Sequence, residues 1–280
     1  MTQSANPLKA FFRQPALYIR LPSDGQYWPA GSLDMPPNRE FPVLPMTAID
    51  EITYRTPDAL FNGAAIVNVV QSCVPNIKNA WHMPNSDLNA ILTAIRIASY
   101  GKVMPLSVEC PSCNVENDFE IDLQSVMSQL NLADYSEVIK QGDLEIYFQP
   151  MNYQHQTDIN LLQFEQQRII NMLPSAEMSD DEKSRRLNDA VKGITEITIK
   201  AMKNSISSIR TPQALVTESA FIEEFLSNCD RELYVRIRDH AIKLRVSDEF
   251  KPIKLKCNEC SHEYDQRFTL DTANFFDNAS

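Results

Sequence analysis

Apolar residues recur at helical spacing between residues 47 and 101. Thr47 and Asp50 match a capping box, in which a hydroxyl group and an acid three residues later close the first helical turn. Thr56-Pro57 indicates a second helix start, for a helix from Asp58 to about Val70, and Ser86-Asp87 indicates a third. The third helix has one apolar face, formed by Leu88, Ile91, Leu92 and Ile95. We expect these three helices to share one core.

Two later parts of the chain alternate apolar and polar residues, as half-buried β-strands do. The clearest of these runs is Leu144–Phe148. The other predicted strands are Val103–Cys110, Phe119–Leu123, Pro252–Leu255 and Tyr264–Leu270, with a short helix at Leu123–Leu130.

The pattern is helical from Gln154 to about Leu244. Ser179 is expected to cap a helix that runs to Ile209, and Thr217 and Asp230 are expected to cap two more. This block lies between the two strand-bearing parts, so it is interpreted as an insertion.

The first 45 residues are rich in proline, which opposes both helices and central strands. They also carry large apolar side chains, which a disordered linker would lack. We therefore predict an extended arm with a short strand near Ala16–Ile19, packed on its own domain, on a neighbouring subunit or on both. The candidate partner-binding residues are Phe11, Phe12, Tyr18 and Trp28.

These patterns predict an α+β protein in three parts. Residues 1–45 form the extended arm. Residues 46–150 together with 246–280 form a mixed α/β domain that carries Cys110, Cys113, Cys257 and Cys260. Residues 151–245 form the inserted helical subdomain.

Composition narrows the possible functions of this 280-residue chain. The formal net charge of -11 disfavours binding to nucleic acid or to an anionic membrane. The chain begins without a basic and apolar leader, and no apolar run is long enough to span a bilayer, so a cytosolic protein is expected. Only six glycines occur, and none forms a phosphate-binding pattern, so no nucleotide or other small-molecule substrate is expected.

Four cysteines form two C-x-x-C pairs, Cys110 with Cys113 and Cys257 with Cys260. Each pair lies at the tip of a predicted hairpin, and thiols in a reducing cytosol serve as metal ligands more often than as disulfides. Two such knuckles predict one structural zinc ion with four thiolate ligands, which leaves no open position for catalysis. Unmetallated buried thiols and redox chemistry are the alternatives, and His262 is a further possible ligand.

The remaining cysteines and histidines carry weaker signals. Cys73 and Cys229 are unpaired by motif and are interpreted as small buried hydrophobic residues. A Cys73 nucleophile with His82 as its base is a separate hypothesis. His155 and His240 lie among polar neighbours and are expected at the surface.

Several segments, read in order, resemble the baseplate hub assembly proteins of T-even-type contractile-tailed bacteriophages. They are Leu21–Gly25, Pro45–Glu51, Leu60–Gly63, Ser72–Val74, Arg96–Gly101 and Val108–Cys113. The resemblance covers residues from about 17 to 123, and the large helical insertion is a departure from the shorter members.

The resemblance implies a non-enzymatic structural or assembly role, with other baseplate hub and tape-measure proteins as partners. It places the protein in the host cytoplasm during assembly, and in the tail baseplate if it stays in the virion. The alternative function is a zinc-ribbon module associated with nucleic acid or transcription. The net charge and the lack of Lys/Arg clusters beside Cys113 and Cys260 disfavour that alternative.

Overall fold

The computed structural model describes residues 6–56, 62–173 and 178–270. Its helices are α1 (Ala48–Tyr54), α2 (Ala64–Cys73), α3 (Asn85–Tyr100), α4 (Leu123–Met127), α5 (Tyr153–Met172), α6 (Asp180–Asn204), α7 (Ser219–Asn228) and α8 (Arg231–Ser247). Its strands are β1 (Leu17–Ile19), β2 (Phe41–Val43), β3 (Val103–Glu109), β4 (Glu116–Asp122), β5 (Ile139–Gln141), β6 (Leu144–Phe148), β7 (Ile206–Arg210), β8 (Leu215–Val216), β9 (Ile253–Lys256) and β10 (Glu263–Gln266). The chain is therefore an α+β protein, as predicted.

A first core joins helices α1, α2 and α3, which confirms that the three predicted helices pack together. The predicted capping box opens α1, since Thr47 Oγ1 accepts from the Asp50 amide and the Asp50 carboxylate accepts from the Thr47 amide. Ile91, Leu92 and Ile95 of α3 are almost completely buried in this core. The proposed helix start at Pro57 lies outside the described residues. Helix α2 begins at Ala64 after the N-cap Gly63, so the prediction of one continuous helix from Asp58 to about Val70 is wrong.

The N-terminal segment packs on this same core. Strand β1 pairs antiparallel with β2, with Leu17 opposite Val43. Ile19 and Val43 are buried in the first core. Arg13 donates to the Asp50 carboxylate at 3.1 Å and to the Ser72 carbonyl at 2.8 Å, which ties the segment to α1 and α2.

A second core lies under a four-stranded antiparallel sheet of order β5-β6-β7-β8. Helices α7 and α8 and the C-terminal end of α6 pack against this sheet. Asp230 caps α8 by accepting from the Leu233 amide at 2.9 Å, as predicted. The N-cap of α7 is Glu218, one residue beyond the expected Thr217.

The prediction that one helix runs to Ile209 is wrong. Helix α6 ends at Asn204, and residues 206–210 form β7, which pairs with β6. Helix propensity is a weak preference that tertiary context overrides, and pairing with β6 buries Ile206 and Ile209 in the second core. The segment interpreted as helical therefore contributes two strands to a sheet that begins before residue 150.

A third core lies beneath two separate hairpins, β3–β4 and β9–β10. Phe250 and Phe268 meet edge to face in it, with ring centroids 5.1 Å apart. Leu123 at the start of α4 and Leu255 of β9 are buried beside them. This core joins residues 121–130 to residues 250–268 and so brings the tips of the two hairpins together. None of the described helices is long and apolar enough to cross a membrane.

Candidate metal centre

The two C-x-x-C hairpins have the same backbone design. In the first, the Cys110 amide donates to the Val115 carbonyl and the Asn114 amide donates to the Cys110 carbonyl, each at 2.9 Å. In the second, the Cys257 amide donates to His262 and the Ser261 amide donates to Cys257 in the same way. Asn114 and Ser261, which follow the second cysteine of each pair, both have positive φ, at 57° and 59°. Each turn therefore reverses tightly enough to direct two thiols to the same side.

The structure brings the four predicted cysteines together. Their sulfur atoms all lie within 4.8 Å of one another. The Cys110 and Cys260 sulfurs are 3.7 Å apart, and so are those of Cys113 and Cys257. Each close pair joins one hairpin to the other, so the cluster links residues far apart in sequence.

These distances suit a tetrahedral metal ion better than a disulfide. A disulfide requires a sulfur–sulfur distance of about 2.05 Å, far shorter than 3.7 Å. Four sulfurs at about 2.3 Å from a central zinc ion would be separated by about 3.8 Å. The four cysteines therefore lie close enough to hold one metal ion. His262 is not a member of the cluster; its ring is exposed and stacks on Tyr264.

The electrostatics of the cluster favour a bound cation. The Cys260 amide donates to the Cys257 sulfur, and such backbone hydrogen bonds lower the pKa of Cys257 to about 6. Although the Val115 amide favours the Cys113 thiolate, desolvation and the other three thiols raise the pKa of Cys113 to about 12. Four adjacent thiolates repel one another, so a positive ion is needed to stabilise all of them together.

Asn117, which the sequence analysis missed, connects the two hairpins. Its side chain is 4% exposed and donates to the Val115 carbonyl at 2.8 Å and towards the Cys257 sulfur at 3.5 Å. Its Oδ1 accepts from the Asn258 amide at 2.8 Å. The sequence could have pointed to Asn117 through its position in β4, because residues two apart on a strand share a face and Asn117 lies on the inward face with Phe119 and Ile121.

The other cysteines lie apart from this centre. Cys73 is buried in the first core, and desolvation raises its pKa to about 12, so its thiol is protonated at neutral pH. That state argues against a Cys73 nucleophile. His82, proposed as its base, instead bonds Ser32 Oγ at 2.8 Å. Cys229 is partly buried beside the second core.

His155 and His240, which were expected at the surface, are partly exposed. The His240 ring packs 4.6 Å from the Phe148 ring, and its Nε2 is buried. Burial lowers the pKa of His155. Both residues lie on helices that pack against other elements, which their polar sequence neighbours did not reveal.

The four aromatic residues proposed for partner binding fall into two groups. Phe11, Phe12 and Tyr18 are 84%, 56% and 60% exposed. Trp28 is partly buried against the first core, and its indole N–H donates to the Asp87 carboxylate at 2.8 Å.

An α+β fold with a four-cysteine centre that joins distant hairpins defines a protein able to hold one metal ion within its scaffold. The family model described as T4 bacteriophage base plate protein matches residues 46–277. The chain therefore belongs to this family, which confirms the resemblance to T4-type baseplate proteins. The match includes the helical segment that the resemblance had left outside. No curated protein and no solved structure matches the chain.

Proposed function

We propose that the protein is a non-enzymatic structural or assembly component of a phage baseplate hub, stabilised by one zinc ion bound to Cys110, Cys113, Cys257 and Cys260. The observation that carries this proposal is the meeting of two distant cysteine pairs in a chain of the baseplate family. A metal ion at this site would join the hairpin of Cys110 and Cys113 to the hairpin of Cys257 and Cys260. Thiolate ligands and the sulfur spacing favour zinc over harder cations.

The nucleic-acid alternative fits the surface of the first knuckle poorly. The exposed face of β4 carries carboxylates at every second residue: Glu116, Asp118, Glu120 and Asp122. Glu109 of β3 lies opposite Glu116 and adds another. Carboxylates on that hairpin repel a phosphate backbone.

The exposed aromatic residues of the N-terminal segment are proposed to bind a partner, taken to be a hub or tape-measure protein of the same phage. Phe11 and Phe12 lie next to Arg13, which anchors the segment to Asp50 of α1. On the same helix Ile49 and Ile52 are 75% and 69% exposed. Exposed large apolar side chains on a tethered segment are typical of protein contacts. Trp28 contributes indirectly, by fixing the segment on the scaffold.

Elemental analysis of the reduced, purified protein tests the zinc site. One zinc per chain is expected, and Cys257→Ser should lose it together with stability. Cys229→Ser is the matched control, because Cys229 lies outside the cluster, and it should keep the metal. Wild-type protein purified without zinc, and unable to bind added zinc, would refute the site.

Co-expression with the hub and tape-measure proteins tests the partner surface. Phe11→Ser with Phe12→Ser should abolish co-purification and leave the melting temperature unchanged. Phe221→Ser, at another exposed position on α7, is the control and should retain binding. If the double variant still co-purifies, the aromatic surface is not the contact. If the control also loses binding, the effect is not specific to this segment.

A further inference from the structure

Each close sulfur pair of the four-cysteine cluster joins a buried cysteine to a more accessible one. Cys110 is buried, and its sulfur lies 3.7 Å from that of Cys260, which is exposed. Cys257 is likewise buried, and its partner at 3.7 Å is the partly exposed Cys113. An oxidant from solvent therefore reaches the second cysteine of each C-x-x-C pair first, and finds a buried sulfur of the other hairpin in contact with it.

The two hairpins are also held side by side by contacts that involve no metal ion. Asn117 of β4 accepts a hydrogen bond from the Asn258 amide at 2.8 Å and donates towards the Cys257 sulfur at 3.5 Å. Beneath the cluster, Ile121 of β4 and Leu255 of β9 are buried in the same third core. The sulfurs of the two hairpins therefore stay within reach of one another when no ion is bound.

We propose that Cys113 and Cys260 are oxidation sites, and that peroxide links each of them to its buried partner on the other hairpin as a disulfide. Hydrogen peroxide reacts with the Cys260 thiol: an S–O bond forms, the O–O bond breaks and water leaves, which gives a sulfenic acid. The Cys110 sulfur then attacks the Cys260 sulfur, so that an S–S bond forms, the S–O bond breaks and hydroxide leaves with the thiol proton as a second water. The two sulfurs supply the two electrons that reduce the peroxide. Cys113 and Cys257 react in the same way.

The oxidised cluster still joins the two hairpins. A disulfide has its sulfurs about 2.05 Å apart, so each pair has to close by about 1.7 Å from its contact distance of 3.7 Å. The two bonds connect residues 150 and 144 positions apart in sequence, and disulfides across long loops constrain the unfolded chain most. Oxidation thus replaces a metal link with a covalent one. The inference concerns the cluster of the proposed zinc site, but it needs only the four sulfurs and not the ion.

Disulfide mapping of the full chain tests this pairing. The purified protein is treated with hydrogen peroxide, the remaining thiols are alkylated after denaturation, and the unreduced digest is analysed by mass spectrometry. Peptides that join Cys110 to Cys260 and Cys113 to Cys257 are expected. Disulfides within a C-x-x-C pair, links between chains, or sulfinic acids without cross-links would overturn the proposal. Zinc release is followed in the same sample with a chromophoric indicator, so cross-hairpin disulfides in a protein that never held zinc would refute the metal centre and support the oxidation sites.

The order of oxidation is tested with a matched pair of variants and dimedone, which traps sulfenic acids. In Cys110→Ser the exposed Cys260 has lost its contacting sulfur, so its sulfenic acid should persist and be trapped. In Cys260→Ser the buried Cys110 should give little adduct. Equal adduct yields at the two positions would contradict the assigned roles, and both variants are checked for an intact melting transition. If either does not fold, iodoacetamide labelling of chelated wild type serves instead, with faster alkylation expected at Cys260 and equal rates counting against the proposal.

Discussion

Asp87 of α3 has a buried carboxylate whose hydrogen-bond donors all belong to Ser23 and Trp28. It accepts hydrogen bonds from the Ser23 amide at 2.8 Å, from Ser23 Oγ at 2.5 Å and from Trp28 Nε1 at 2.8 Å. These bonds tie the N-terminal segment to α3. Desolvation nevertheless raises the pKa of Asp87 to about 6, above its unfolded value near 3.8.

This shift predicts a pH dependence of stability. The folded protein binds the Asp87 proton more tightly than the unfolded chain does. Protonated Asp87 therefore contributes to the unfolding free energy in full below about pH 4, and this contribution is lost as the pH rises through about 6. A pKa difference of about two units corresponds to a loss of up to about 3 kcal/mol in unfolding free energy. Urea unfolding at pH 4, 5, 6 and 7 should show that the advantage of wild type over Asp87→Asn shrinks with rising pH. Parallel profiles would contradict this, and the exposed Asp143→Asn is the matched control.

Asn117 provides the second prediction at this scale. Asn117→Ala removes the bonds to Val115 and Asn258 and leaves the Asn258 amide without its acceptor. We expect a loss of about 1–3 kcal/mol in unfolding free energy. The affinity for Zn²⁺ should fall about 10- to 100-fold, because a group that orients a ligand is lost. Competition with a chromophoric chelator measures the affinity.

Asn131→Ala is the control for this substitution. Asn131 is exposed, and its side chain donates to the nearby Gln129 carbonyl, so neither stability nor affinity should change. A variant at Asn117 with wild-type zinc affinity would show that the hairpins are oriented by the cysteines alone.

At the scale of elements, α1 depends on its capping box. Thr47→Ala removes the acceptor of the Asp50 amide and the donor to the Asp50 carboxylate. We expect a loss of about 1 kcal/mol in unfolding free energy, measured in urea. Thr195→Ala, at an exposed position within α6, should be neutral or slightly stabilising. Equal effects at the two sites would show that the cap does not stabilise the fold.

The elements also show where sequence patterns succeed. The capping box, the cap at Asp230 and the strand Leu144–Phe148 were predicted correctly because each depends on residues a few positions apart. Strand β7 was assigned to a helix because its pairing partner, β6, lies far away in sequence. Short apolar runs fit either structure until that partner is known.

At the scale of the whole molecule, the four-cysteine cluster links the β3–β4 hairpin to the β9–β10 hairpin above the third core. Removal of metal by a chelator should therefore raise amide hydrogen exchange most in β3, β4, β9 and β10. The amides of α2 and α3 should stay protected, since they belong to the first core. Exchange measured by mass spectrometry before and after chelation tests this. A uniform rise across the chain would show instead that the metal controls global unfolding.

The affinity for metal should also depend on pH. Thiolates bind the ion and thiols do not, so binding releases protons and weakens as pH falls. Zinc retained per chain, measured after dialysis at pH 8 and at pH 5, should be lower at pH 5. Equal retention at both values would argue against thiolate ligands.

The sequence alone determined the features that depend on local spacing. Two matched C-x-x-C pairs identified the four cysteines, and helical and alternating periods identified most elements of an α+β fold. Caps followed from single side chains beside their own backbone. Each of these features depends on only a few neighbouring residues, so it can be predicted from the local sequence.

Only the tertiary structure decided which distant groups meet. It placed Cys110 near Cys260, gave β7 its partner and packed the His240 ring against Phe148. It also set Asn117 between the two hairpins. Hydrophobic periodicity states which face of an element is buried but not against what, because many partners satisfy the same apolar face.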